Sequence, residues 1–324
     1  MTDKKELVSL VVPVCNEQEV VPETYRRVTA VMEAEKVPYE IVFVDDFSTD
    51  STFEILSGLA EKDPRVKVLS FSRNFGKSAA LVAGLDHASG EAVITMDGDL
   101  EHPPELIPEL LRQWRGGYEV VNTIREYDRT VSLFKRTSSA FFYKLMSKLA
   151  RVKLPTGSTD FKLYDRKVVD TLTSLEEKNR FLRGLSIWVG FRQTSLNFKS
   201  PKRAAGMSKY TPRALFRLAL DGITAFSIFP LKVAIYLGFL VSFLSFVYLS
   251  YVIFVRLFTE RAVPGWASTT ASLLLLGGVQ LIAIGILGEY IGRIYEEIKR
   301  RPNYIISRKV GIEGKARKEE RGKQ

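Results

Sequence analysis

The stretch Glu91-Ala-Val-Ile-Thr-Met-Asp97-Gly-Asp99-Leu-Glu101 decides how this chain is read. Its first half is apolar and β-prone, as in a buried strand, and it stops abruptly at two acids separated by one glycine. In open α/β sheets ligands sit outside the carboxyl ends of the strands, which is where this pair falls. Two carboxylates one residue apart, with no side chain between them, can share a hard divalent ion and leave room for phosphate oxygens. A turn that merely exposes two acids has the same local sequence, so the flanking residues must discriminate.

Working outward, strand-like runs recur through the first 125 residues: Leu7 to Val14, Tyr39 to Asp45, Val66 to Phe71, the run ending at Asp97, and Tyr118 to Ile124. Helical patterns separate them at Glu17 to Glu35, Ser51 to Glu61, Gly76 to His87 and Pro103 to Trp114. Strands alternating with helices predict a Rossmann-like, mostly parallel, doubly wound sheet. Pro103-Pro104, just past the acids, suits the start of a helix. The residues of ligand interest then fall at strand ends: Pro13 to Glu17, Asp45-Asp46, Asp97-Gly98-Asp99 and Arg125.

The second half has a different character. No charged residue occurs from Val233 to Val255 or from Ala262 to Gly288. Each run exceeds the roughly 20 residues needed to cross about 30 Å of hydrocarbon, and the short link between them predicts a transmembrane hairpin. The chain carries 47 Lys+Arg against 37 Asp+Glu, a net charge of +10. Lys199 to Lys232 has seven basic residues against the single acid Asp221, and Glu289 to Gln324 has eleven against six. This bias puts both termini and the N-terminal domain in the cytoplasm of a multi-pass protein of the plasma (inner) membrane. The basic excess therefore faces anionic lipid rather than nucleic acid, for which no motif is present. Thr211 to Ile223 reads as an interfacial amphipathic helix, and Ile291, Ile294, Tyr295 and Ile298 mark a second one after the hairpin. Gly277-Gly278 and Gly288-x-x-x-Gly292 allow close helix contact and predict homo-oligomer packing. Cys15 is the only cysteine, so no intrachain disulfide forms, and the polar residues Met1 to Glu6 do not resemble a signal peptide. The expected division is a catalytic domain over 1–210, a juxtamembrane helix over 211–229, two spans within 230–288 (about 230–257 and 264–288), and a basic helix and tail over 289–324.

Val12-Pro-Val-Cys-Asn-Glu17, Val44-Asp-Asp-Phe-Ser-Thr-Asp50 and Met96-Asp-Gly-Asp-Leu-Glu101 resemble the nucleotide-binding segments of GT-A glycosyltransferases of family 2. Arg73-Asn-Phe-Gly-Lys-Ser78, Thr159-Asp-Phe-Lys162, Arg180-Phe-Leu-Arg-Gly184 and Arg203-Ala-Ala-Gly-Met-Ser-Lys-Tyr210 narrow the resemblance to the polyprenyl-phosphate glycosyltransferases. That group includes dolichol-phosphate mannose synthases and bactoprenol glucosyltransferases, and the two spans after the catalytic domain match the bactoprenol type. The resemblance implies that Pro13, Cys15, Glu17 and Asp45 hold the base and ribose of a nucleotide sugar. It implies that Asp97, Asp99 and Glu101 hold Mg²⁺ or Mn²⁺ against the donor diphosphate, with Gly98 between them. Arg125, Arg203 and Lys209 would clamp donor and acceptor phosphates. Asp160 is the candidate catalytic base or acceptor-orienting acid; alternatively it is an acid paired with Lys162 or Arg183 that shapes the site. Two departures stand out. Glu101-His102 replaces the family's usual glutamine and acid, and Phe47 occupies a position usually held by glycine.

The implied reaction is inverting, metal-dependent transfer of a hexose from a nucleotide sugar to the phosphate of a membrane polyprenol, with UDP-glucose and undecaprenyl phosphate as the expected pair. GDP-mannose as donor, or a non-catalytic membrane scaffold on the same fold, are the alternatives. A processive polysaccharide synthase would carry a Gln-x-x-Arg-Trp signature, which is missing, and a transport module would need polar residues within its spans.

Overall fold

A computed structural model describes residues 6–126, 157–175, 177, 182–199, 229–258 and 265–312. The chain divides into two compact units: one holds the N-terminal region with residues 302–312, and the other holds the two long apolar helices.

In the first unit the anticipated alternation appears in order: β1 (Val8–Val14), α1 (Val21–Glu35), β2 (Tyr39–Asp45), α2 (Thr52–Lys62), β3 (Val66–Phe71), α3 (Lys77–His87), β4 (Ala92–Thr95), a 3₁₀ turn (Pro104–Leu106), α4 (Ile107–Arg115) and β5 (Val120–Glu126). After it come β6 (Ser158–Asp165), α5 (Arg166–Ser174), α6 (Leu182–Trp188) and β7 (Gln193–Lys199). The first helix begins at Val21 rather than Glu17, because Glu17 closes a turn whose carbonyl accepts the Val20 and Val21 N–H groups.

The strands form one sheet in the order β7-β5-β6-β4-β1-β2-β3-β8, where β8 is Ile306–Val310. β1 pairs in parallel with both β2 and β4, and β2 with β3. Helices cover these central strands, so β2 is buried along its whole length, as parallel strands require. Core side chains include Leu10, Val12, Ile41, Phe43, Ile94, Leu110 and Phe161.

Two strands depart from the parallel pattern. β6 inserts antiparallel between β4 and β5, in the register Ala92↔Asp165 through Thr95↔Lys162. β8 pairs antiparallel with the edge strand β3, so residues expected only to extend a basic tail complete the sheet instead. Tyr304 leads into β8, stacks on Phe71 at 5.3 Å and donates its hydroxyl to Asp86.

The second unit contains α7 (Phe229–Phe258) and α8 (Trp266–Ile298). Both are long and apolar enough to cross a membrane: Leu231–Val255 has a mean hydropathy of 2.1 and Leu275–Ile298 of 1.6. Their apolar side chains face outward, Phe239 being 76% exposed and Leu281 71%. The amphipathic segment expected after the hairpin is not a separate helix, because α8 runs unbroken through Gly288 and Gly292 to Ile298. Arg293–Glu289 and Lys299–Glu296 pairs support that last stretch at helical spacing. The juxtamembrane helix expected over 211–229 lies outside the described residues except for its last position.

One buried ion pair ties the sheet together. Glu40 on β2 accepts hydrogen bonds from Ser9 of β1, from the Ser89 N–H and from Lys67 of β3. Burial pushes the Glu40 carboxyl up, yet the bonds from Lys67, Ser9 and Ser89 outweigh it and hold it below the ordinary glutamate range. Glu40 therefore contributes stability that is present at neutral pH and is lost as pH falls through its depressed folded-state value. Glu40→Ala should cost about 3 kcal/mol, because it leaves the half-buried Lys67 ammonium, the Ser9 hydroxyl and the Ser89 N–H without their acceptor. The measurement is thermal unfolding of the detergent-solubilised protein at pH 7 and in acid, with the difference from wild type shrinking in acid.

Candidate active site

The loops that follow β1, β2 and β4 meet at one end of the sheet, as a parallel arrangement dictates. Backbone strain is concentrated there. Asn16, Phe47 and Leu100 adopt left-handed conformations at φ 56°, 63° and 60°, one in each of the three loops. Asparagine tolerates this region, whereas a residue with a bulky side chain pays about 1 kcal/mol or more. Phe47 does occupy a turn that needs positive φ, and its ring projects to solvent, 47% exposed.

On the β1–β2 side, Pro13, Cys15 and Glu17 are half-buried. The Cys15 thiol lies 3.5 Å from the Asp46 carbonyl and accepts from Asn74 Nδ2 at 3.6 Å. Asp45 is buried, and it accepts the Ser48 N–H at 3.0 Å on one oxygen and the Ser70 hydroxyl at 2.8 Å on the other. Asp50 holds the turn by accepting from Thr52 and from the Gln18 N–H. Asp46 reaches across to the loop after β3, where it accepts the N–H groups of Phe75 at 2.7 Å and Gly76 at 2.9 Å. Burial raises the Asp46 carboxyl above its ordinary value despite those two bonds.

At the end of β4 the chain turns sharply through Asp97-Gly98-Asp99. Gly98 has little room: a Cβ there would lie 2.7 Å from Val14 Cγ1 and 3.3 Å from the Pro13 carbonyl. Its carbonyl accepts the Thr24 hydroxyl, tying the turn to α1. His102, fully buried, accepts the Asp97 N–H on Nδ1 at 3.0 Å and stacks on Phe161 at 5.2 Å. Burial keeps this imidazole below its ordinary pKa, consistent with a neutral ring that carries its proton on Nε2. His102 is thus a support beneath the turn.

The three expected metal ligands are not gathered into one cluster; among the described residues no group of three His, Cys, Asp or Glu side chains is arranged to hold an ion. Asp97 pairs with Lys77 at 2.6 Å, Glu101 pairs with Arg125 at 2.7 Å, and Asp99 accepts the Glu101 N–H at 3.0 Å. Burial, then the neighbouring charges of Asp97 and Glu101, raise the Asp99 carboxyl above its usual range, although the Glu101 N–H opposes this. Asp97 and Asp99 are hard oxygen donors in a region of excess negative charge, which fits a divalent cation. Glu101 is turned toward Arg125, so Arg125 meets a carboxylate here rather than an open phosphate site.

Asp160 arrives on β6. The antiparallel register, continued two residues beyond Thr95↔Lys162, carries it opposite Asp97. Arg183 of α6 grips it with two bonds of 2.6 Å, and Lys77 Nζ lies 3.0 Å away. Burial would raise its pKa, but the charges and bonds of Arg183 and Lys77 hold it far below the usual carboxylate range. Of the two alternative partners, Arg183 is the one it meets. Lys162 is buried, donates to Ser186 Oγ at 2.9 Å, and is pushed down to about 7 by that burial. Arg203 and Lys209 lie outside the described residues.

Asp46 stands among the strand-end residues of ligand interest, and Lys77 within the quoted segment Arg73 to Ser78, but the sequence assigns a site role to neither. The only local sign of Lys77 is a glycine followed by a lysine at the start of a helix directly after a strand. Its target comes from a distant part of the chain.

Two family models match this chain: glycosyl transferase family 2 over residues 9–173, and the GtrB C-terminal hairpin over residues 229–294. The chain belongs to glycosyl transferase family 2. The transferase is 46% identical over 307 residues to an uncharacterized glycosyltransferase of Bacillus subtilis (strain 168), covering 95% of each chain. It is also 46% identical to the SfII prophage-derived bactoprenol glucosyl transferase of Shigella flexneri, over 93% of this chain and 97% of that one. A homolog of the prophage bactoprenol glucosyl transferases in Escherichia coli (strain K12) is 44% identical over 93% and 98%. Among solved structures, glucosyl-3-phosphoglycerate synthase from Mycobacterium tuberculosis, in complex with Mn²⁺, uridine diphosphate and phosphoglyceric acid, aligns with 68% of this chain and 76% of its own. At 18% identity and a TM-score of 0.47, that resemblance is too distant to bear on the transferase's substrate or metal. The fold is GT-A, with a Rossmann-like, mostly parallel sheet.

Because Gly98 is wedged against Val14 and Pro13, Gly98→Ala should displace Asp97 and Asp99 together. Glycosyl transfer is expected to fall by at least about tenfold, since sub-ångström misplacement of reacting groups is costly. Thermal unfolding should move less than in Glu40→Ala, and the two assays on one preparation separate a site effect from a folding effect.

Proposed function

We propose that this transferase moves glucose from UDP-glucose to the phosphate of undecaprenyl phosphate at the cytoplasmic face of the plasma membrane. One observation carries the reading: the similarity to proteins named bactoprenol glucosyl transferase runs through the catalytic domain and the hairpin alike, at 46% identity over 93% of the chain.

The chemistry of the site agrees with it. A phosphate monoester has its second pKa near 6, so the acceptor is largely dianionic at neutral pH and already a competent nucleophile. Little general-base catalysis is required, and Asp160, held ionised by Arg183 and Lys77, is suited to orientation and charge balance rather than to taking a proton. Asp97 and Asp99 are the carboxylates that would hold Mg²⁺ or Mn²⁺. Such an ion, when bound, stabilises the negative charge that builds on the departing nucleoside diphosphate. Pro13, Cys15 and Glu17 flank the nucleotide side, while Arg203 and Lys209 remain the candidates for the acceptor phosphate.

The topology supports a hairpin with both ends on one side. Strands β1–β7, which precede α7, and β8, which follows α8, form a single sheet, and this supports the two ends of the hairpin sharing a side of the membrane. The basic flanks make that side the cytoplasm. Homo-oligomer packing through the α8 glycines belongs to the same proposal.

The test offers radiolabelled UDP-glucose, UDP-galactose, UDP-N-acetylglucosamine and GDP-mannose separately to the detergent-solubilised protein with undecaprenyl phosphate and Mn²⁺ or Mg²⁺. Label should enter the organic phase from UDP-glucose alone and only with metal; transfer from GDP-mannose instead would replace the donor assignment. Asp99→Ala should abolish transfer in a folded protein. Asp160→Asn should lower kcat by about 100-fold with little change in donor affinity, and a pH profile without a new limb near neutrality would separate orientation from base catalysis.

A further inference from the structure

Lys77 sits at the centre of the site, and the proposed reaction uses it only to help Arg183 hold Asp160 ionised. It opens α3, and its ammonium lies 2.6 Å from Asp97 Oδ1 and 3.0 Å from Asp160 Oδ2. The placement is built by other groups. Asp46 accepts the two preceding N–H groups, from Phe75 and Gly76, and Gly76 turns at φ 92°, a conformation that suits glycine. The Lys77 side chain is 41% exposed, so it can move without opening the core.

Its two partners are unequal. Asp160 is gripped through both oxygens by Arg183 and keeps that partner whatever Lys77 does. Asp97 depends on Lys77 more heavily, because its other oxygen lies 3.6 Å from a His102 nitrogen that already accepts a hydrogen bond. A cation approaching Asp97 must therefore compete with an ammonium for the same oxygen.

We propose that Lys77 is a positioning residue that occupies Asp97 in the donor-free protein and so makes divalent-cation binding depend on the nucleoside diphosphate, whose phosphates offer the ammonium another anionic partner. The inference rests on the reading that Asp97 and Asp99 hold a divalent ion. Linkage makes the coupling reciprocal: the factor by which the nucleotide tightens metal binding equals the factor by which the metal tightens nucleotide binding.

The experiment titrates Mn²⁺, followed by electron paramagnetic resonance, into the full-length protein in detergent with and without UDP. In the wild type UDP should tighten Mn²⁺ binding by about tenfold or more, a typical allosteric coupling. In Lys77→Met, Mn²⁺ binding without UDP should become about tenfold tighter, and the tightening by UDP should shrink by the same factor. Lys77→Arg, which retains the charge, should keep most of the coupling. Lys77→Gln serves as a second neutral variant if the methionine variant unfolds. Unchanged or weaker Mn²⁺ binding by a folded neutral variant without UDP overturns the role of Lys77 while leaving the metal reading intact. Absence of Mn²⁺ binding by the wild type in the presence of UDP overturns the metal reading, and the inference falls with it.

Discussion

The antiparallel pairing of β6 with β4 is the constraint on which the rest of the site depends. Every other strand bordering β4 or β1 on the site side runs parallel and delivers a loop at the same end of the sheet. β6 runs the opposite way, so its early residues, and not its last, reach that end. Its register sets Asp160 against Asp97. Two carboxylates brought together in a partly buried place repel each other and lose hydration, a cost of several kcal/mol per ion unless cations answer it. The structure answers with Lys77 from the start of α3 and Arg183 from α6. Both helix starts thus bring a cation to the charge of one strand pair.

A well-packed sheet supports loops that are held away from their intrinsic preferences. The strands are buried and regular, whereas Asn16, Phe47 and Leu100 hold left-handed backbone in the three loops that face the site. Such conformations persist only where surrounding contacts over-determine them. Those contacts are visible: Asn16 Oδ1 accepts the Thr49 N–H, Ser48 Oγ accepts the Asn16 N–H, and the turn around Leu100 is fixed by Asp99 and His102. Phe47 holds positive φ in its turn with the ring placed outside the core.

The central strands were legible because helix-covered parallel strands are mostly apolar, and the runs at Val8–Val14 and Tyr39–Asp45 are so apart from Ser9, Glu40 and Asp45. The pair Asp97 and Asp99 was legible because a strand ended there. β6 was harder to see: Ser-Thr-Asp-Phe-Lys-Leu-Tyr-Asp alternates charge with apolar residues, and its buried Lys162 contradicts the usual pattern for an interior strand. β8 escaped for a related reason. Ile-Ser-Arg-Lys-Val is short and basic, as edge strands often are, and it follows a helix in a basic tail. Contacts between loops, such as Asp46 with Phe75 and Gly76, have no signature in spacing at all, since they depend on how separate turns fold against one another.

Charge balance relates these pieces to phosphate chemistry. Asp97, Asp99, Glu101 and Asp160 are set against Lys77, Arg125 and Arg183, so with all seven groups ionised the cluster carries one net negative charge. A cluster of that charge attracts a divalent cation weakly, and with the cation present it becomes net positive by one. Only then is it complementary to a donor diphosphate and to an acceptor phosphate that is itself a dianion. A site more acidic than this would hold metal but repel both substrates. A more basic one would bind phosphates without the metal and gain less in the transition state, where charge on the leaving group grows. The near-neutral balance, set by two arginines and one lysine that each hold a carboxylate, gives a physical reason why the donor and the metal should enter together.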